Sequence, residues 1–339
     1  MASASEDPDK SRCVQRTAQE KQQLRQDLEQ LTDAWAPFDS RYFEALQDEK
    51  LPALIQSLGT PDAAFVAMGL RHQLTFRQCQ PSCALEAFRG PAGAFDKYVE
   101  AYPDHLPIRL AALGACPTAQ KDRAVDCFEP HAAALLRYAP EDALGPLLLA
   151  SAQLLRGDRW AAMRFMRQAA GAETVDLGAV QILRMQSEIL QQVLPPPLPE
   201  EPASLRPLLA RSTQGWMGYG SAGIVQLEEL KTACLTPDSE AFADACLLAA
   251  DAMTLPLARM PLAEYAHEIR LGVAEYRGEP KRLAQRIEEM AQFKQLPYRA
   301  NVEVLTEDDA LRAMSDLAQF GEYHSYLRLA AQAAACEAR

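Results

Sequence analysis

Long apolar runs are missing from this chain. The longest, such as Leu147-Leu148-Leu149-Ala150, break off far short of the ~20 residues that a bilayer span demands, so no membrane-spanning helix is expected. Basic charge is in deficit: 34 Lys and Arg stand against 46 Asp and Glu, a net charge of -12 that repels phosphate backbones and anionic lipid surfaces. Nucleic acid is therefore not an expected partner. Alternation of β-branched residues, the signature of half-buried strands, is almost absent. The five histidines are scattered at 72, 105, 131, 267 and 324; no HExxH occurs, and no Cys/His grouping has four-ligand zinc spacing. No metal or cofactor is expected.

Two cysteine pairs share one local design. Cys116-Pro117-Thr118 is followed by Cys127, and Cys234-Leu235-Thr236-Pro237 is followed by Cys246. The helical stretch before each first Cys stops at a Thr/Pro turn, and the second Cys falls roughly two turns into the next helix, where it faces back across the hairpin. The pattern predicts disulfides Cys116–Cys127 and Cys234–Cys246 in an oxidising compartment. Cys79 and Cys83, four apart around Pro81, are candidates for a third, tight bridge, while Cys13 and Cys336 are left over. The start, Met-Ala-Ser-Ala-Ser-Glu-Asp, lacks the basic and apolar regions of a signal peptide and resembles the polar start of a mature exported protein with an initiator Met added. A periplasmic or secreted location is expected; the alternative is a cytoplasmic protein with reduced thiols.

At 339 residues the chain buries about three quarters of its unfolded surface, enough for a core of its own. Ala/Leu-rich segments near 41–58, 62–79, 84–101, 107–116, 119–138, 143–156, 159–171 and 177–193 read as helices separated by Pro, Gly or Asp punctuation. Pro195-Pro196-Pro197-Leu198-Pro199-Glu200-Glu201-Pro202 cannot continue a helix, because each Pro removes a donor and fixes φ. Helices are expected again near 203–212, 223–234, 238–253, 259–277, 279–294, 306–319 and 322–337. The reading is an all-α fold with an N-terminal array over 1–194, a Pro-rich linker over 195–202 and a C-terminal helical half over 203–339.

One segment carries a repeat signature. Leu149-Ala150, Gly157-Asp158, Ala162 and Ala169, preceded by Ala139-Pro140, resemble a tetratricopeptide-type helix-turn-helix unit over about 35 residues, with small side chains where two helices cross and Gly-Asp in the tight turn. Pro146 stands where such a repeat has its early large aromatic. The resemblance is to a degenerate member of the TPR-like α-solenoid class. With the two stapled hairpins, the chain as a whole is similar to exported helical proteins of Gram-negative bacteria, a likeness that implies no activity.

Gly218-Tyr219-Gly220-Ser221-Ala222-Gly223 matches the GxGxxG string, but the polar Arg211-Ser212-Thr213-Gln214-Gly215-Trp216 before it is unlike the buried strand a dinucleotide site needs. Glu264-x-x-His267 lacks the second copy that a di-iron bundle requires. His72 near Cys79 and His131 near Cys127 are chance helical neighbours rather than nucleophile and base. The expectation is a non-enzymatic protein-binding chain, with Trp216, Met217 and Tyr219 as partner anchors and a basic partner, in concrete form an envelope inhibitor or immunity protein for a basic toxin or hydrolase. An enzyme with a site between the halves near 195–223, or a cytoplasmic adaptor or chaperone-like protein, are the alternatives.

Overall fold

The computed structural model describes residues 48–78, 95–117, 121–176, 179–196, 226–299 and 322–331, with a few isolated positions beside them. Regular structure among these residues is helical. The helices are α1 (Leu51–Gln56), α2 (Pro61–Gln78), α3 (Asp96–Ala101), α4 (Leu106–Gly114), α5 (Lys121–Tyr138), α6 (Leu144–Leu155), α7 (Arg159–Ala169), α8 (Ala179–Val193), α9 (Glu228–Leu235), α10 (Glu240–Ala252), α11 (Met260–Tyr276) and α12 (Pro280–Arg299). Residues 322–331 are helical as well. A lone parallel bridge joins Asp142 to Thr174.

Local chemistry fixes the helix starts. The side chains of Thr60, His105, Asp158 and Ser239 accept the N–H of Ala63, Ile108, Ala161 and Phe242, so four helices open on an N-cap that satisfies an otherwise orphaned donor. The expected helix over 41–58 is interrupted: Glu49 and Lys50 form a turn in which the Lys50 N–H donates to Asp48 Oδ1, and α1 starts only at Leu51, with Pro52 in its first turn. The segment expected from 84 is described only from Phe95, and α3 begins at Asp96. The expected helices over 203–212 and 306–319 lie outside the described residues.

Consecutive helices pack on one another from α4 through α7 and again from α10 through α12, and the two runs meet where α7 lies on α10 and α9 lies against α6 and α11. Helix α8 does not continue this series; it turns back onto α1 and α2. The apolar side chains accordingly form two clusters. One holds Ile55, Phe65, Val66, Ile108, Ala111, Ile189 and Leu190 from α1, α2, α4 and α8. The other runs from Leu110 and Leu113 through Phe128, Leu147, Met166, Leu230, Phe242, Ile269 and Phe293, so a single core carries residues from both sides of the Pro-rich run. Helix α4 is the wall between them, apolar on nearly every face and buried from Pro107 to Gly114 except at Arg109.

Both cysteine pairs sit in the larger core. The sulfurs of Cys116 and Cys127 lie 1.98 Å apart, joining the end of α4 to α5, and those of Cys234 and Cys246 lie 2.03 Å apart, joining α9 to α10. Close approach of backbones accompanies the second staple. A Cβ at Gly272 of α11 would meet the Leu235 carbonyl oxygen at 2.7 Å, so only glycine lets α11 lie this near the end of α9.

Candidate functional site

The α6–α7 hairpin presents the most exposed large apolar side chain of the described residues. Its turn is built by Gly157, whose φ of +78° is the left-handed conformation that glycine adopts without steric cost. Asp158 then caps α7 by accepting the Ala161 N–H at 2.9 Å. From there the helical period sets two faces. Ala162, Met166 and Ala169, at i, i+4 and i+7, are fully buried. Trp160, Arg164 and Arg167 repeat the same spacing on the opposite side, and Trp160 is 69% exposed.

Four arginines lie on or beside this hairpin, and they divide by task. Arg156 holds α5 through Glu129 at 2.6 Å and Asp126 at 3.5 Å. Arg159 pairs with Asp238 at 2.7 Å and lies over the Phe242 ring at 4.8 Å, fastening α7 to the start of α10. Among the described residues Arg164 and Arg167 have no ion-pair or hydrogen-bond partner and are solvent-exposed. The result is a small aromatic and cationic face, held rigid by its neighbours, on a chain whose net charge is -12.

Several other titratable groups among the described residues are engaged or enclosed by the fold itself. Asp142 Oδ1 accepts the Leu144 N–H at 2.8 Å, and Oδ2 accepts the Asp176 N–H at 2.7 Å and the Thr174 hydroxyl at 3.1 Å. Burial pushes this carboxyl up to about 6, against the pull of those three donors. His105 Nε2 meets Asp62 Oδ1 of α2 at 2.8 Å while Nδ1 accepts the Ile108 N–H, so one ring nitrogen caps α4, the other ties it to α2, and neither is open to a reacting group. The Tyr265 hydroxyl donates to Glu228 at 2.6 Å beside Lys231, and burial and that carboxylate raise its pKa. His131 is pushed down to about 4 by burial and by Arg109. His267, packed 4.9 Å from the Phe293 ring, is lowered by burial and Arg270. No group of three or more His, Cys, Asp or Glu among the described residues is arranged to hold a metal ion.

Of the residues singled out from the sequence, Cys116 with Cys127 and Cys234 with Cys246 are brought together at disulfide distance. Cys79 and Cys83 lie outside the described residues, as do Trp216, Met217 and Tyr219 of the Gly-rich segment. Trp160 was not singled out, although its place off the Ala162-Met166-Ala169 stripe is readable from spacing alone. No helix of the described residues is long and apolar enough to cross a membrane. Comparison with protein-family models, with curated proteins and with solved structures finds no match to this chain.

Proposed function

We propose that this chain is a non-catalytic, protein-binding helical scaffold of an oxidising, extracytoplasmic compartment, and that Trp160 lies on its docking surface. The carrying observation is the exposure of Trp160, 69%, on a helix whose opposite face is locked into the core. A tryptophan left in water gives up the burial of a large apolar surface, which a partner restores, and such rigid aromatics are the anchors around which interfaces concentrate their energy. The two buried cysteine pairs at disulfide distance favour the oxidising compartment. The engagement of Asp142 and His105 by backbone donors supports a structural task for the chain's most conspicuous carboxyl and imidazole groups.

The test is an aromatic photo-cross-linking residue, which keeps a large apolar ring in place of the indole, at position 160, compared with one at the exposed Leu54 of α1, in cells that make the protein. A discrete adduct from position 160 is expected and none from position 54. Trp160→Ala should abolish capture of that same partner while leaving the melting temperature within about 2 °C of wild type, because an exposed side chain contributes little to folding. A large drop in melting temperature, or a partner held as well by the variant, would remove Trp160 from the interface.

A further inference from the structure

We infer that the occupant of the Trp160–Arg164–Arg167 face is an acidic segment of another protein that carries an apolar side chain, an inference resting on the docking role of Trp160. The three residues recur at i, i+4 and i+7, so one partner segment meets the indole and both guanidinium groups at once. The hairpin's other two arginines are already consumed by Glu129, Asp126 and Asp238. Those pairs fix the position of α7 and leave Arg164 and Arg167 with donors to offer. Arg164 and Arg167 are the two cations of this hairpin that no described carboxylate neutralises, in a chain of net charge -12.

A guanidinium presents a planar fork that a carboxylate accepts bidentately, and a tryptophan supplies broad apolar contact at little conformational cost. The partner's complement is therefore carboxylates spaced around one apolar residue. A second copy of this chain does not suit the face. Self-pairing of α7 would set arginine against arginine, and docking onto a different surface of an identical copy would build a ring or an open filament rather than a closed pair. Nucleic acid and anionic bilayers are extended polyanions: they gain only two phosphate contacts here while meeting the field of the whole acidic chain. A short acidic segment meets mainly the local positive face, within the ~8 Å over which charge is felt at physiological salt.

The experiment titrates the intact protein against three fluorescent peptides that share one central Phe and differ only in their flanks, which are Glu, Gln or Lys, and against a single-stranded oligonucleotide. The Glu peptide is expected to bind saturably, roughly tenfold tighter than the Gln peptide, since two exposed ion pairs are worth about that much together. Its affinity should fall with added salt and with Trp160→Ala. Arg164→Glu with Arg167→Glu should invert the preference to the Lys peptide while the melting temperature holds. Equal binding of the Glu and Gln peptides, tighter binding of the Lys peptide or the oligonucleotide by the native protein, or a preference untouched by the double charge reversal would each overturn the inference. Binding of the Lys peptide that depends on Trp160, or cross-linking from position 160 to a partner without any Glu-peptide binding, would overturn the acidic partner and leave the docking surface standing. Absence of both cross-linking and peptide binding would end the two together.

Discussion

Asp142 and Thr174 clamp the two ends of the α6–α7 hairpin together: the Thr174 hydroxyl donates to Asp142 Oδ2 at 3.1 Å while the Ala143 N–H donates to the Thr174 carbonyl at 2.8 Å. The same carboxylate takes the Asp176 N–H at 2.7 Å and opens α6 through the Leu144 N–H. The next residue continues the tie outward, since the Val175 N–H donates to the Pro256 carbonyl beyond α10. One side chain thus holds the hairpin that displays Trp160 and helps seat it on the second run of helices.

Removing that carboxylate strands three donors, so Asp142→Ala should cost about 2 kcal/mol or more at neutral pH. The pH dependence has a definite sign. Burial raises the folded-state pKa from 3.8 to about 6, so the folded chain holds the proton more tightly than the unfolded one. The associated stability is fully present below pH 3.8 and is lost as pH rises through about 6, a swing of at most ~3 kcal/mol. Denaturant titrations of wild type and Asp142→Ala across this window should show the gap between them narrowing as pH rises; a gap independent of pH would contradict the shift.

His131 works in the other direction. Its Nδ1 is buried without a hydrogen-bond partner, and burial followed by Arg109 pushes the imidazole from 6.5 down to about 4, against the pull of Asp96. The folded chain keeps the ring neutral while the unfolded chain protonates it, so stability is present above pH 6.5 and drains away as pH falls toward 4. His131→Leu should therefore melt higher than wild type at pH 4.5 and differ less at pH 7.5. With the opposing slope of Asp142 intact, the wild-type curve is flatter in this range than either variant, and an unchanged acid limb in His131→Leu would exclude this histidine as its source.

Much of this arrangement is local and was legible in the sequence. Pro and Gly punctuation marks most helix ends, the Thr/Pro turns after Cys116 and Cys234 announce hairpins, and Gly157-Asp158 places the α6–α7 turn correctly. What was not legible is long-range. No periodicity reveals that α8 folds back to α1 and α2 while α7 lies on α10, because such contacts depend on which apolar faces meet after collapse. Asp142 gave no signal for the same reason: Thr174 and Asp176, its partners, lie 32 and 34 residues away. Trp160 was legible in principle, since opposite faces of α7 differ by spacing alone. The Gly-rich loop drew attention through composition, which does not distinguish a packed aromatic from an exposed one.

The two staples should yield to reductant in order. Each closes a loop of about a dozen residues, worth roughly 3 kcal/mol in the chain-entropy description. Their access to solvent differs: Cys234 and Cys246 are both fully buried, whereas Cys127 is only partly so. Timed alkylation under mild reductant should label Cys116 and Cys127 first, with helicity retained after both pairs open and the melting temperature lowered in two steps. Simultaneous labelling of all four would mean that global unfolding, rather than local access, gates reduction.

The Pro-rich run makes a sharper prediction about how the chain holds together. Leu198 and Pro199 are exposed and lie outside any helix, and exposed chain between helices is where proteases cut, so limited digestion should cut first near residue 199. The consequence is set by the core, not by the cut. Leu147, Leu148 and Met166 before the run share one cluster with Leu230, Phe242 and Ile269 after it, and the buried Ser151 hydroxyl reaches across to donate to the Gln226 carbonyl at 2.6 Å. Both described disulfides lie within one fragment or the other, since neither spans the cut. The two pieces should therefore remain one particle in native size-exclusion chromatography and separate in denaturant with reductant. Expressed alone, residues 203–339 should be poorly soluble, because α9 and α10 would expose the apolar surface that α6 and α7 cover. Native separation of two well-folded fragments would show instead that each side of the run completes a core by itself.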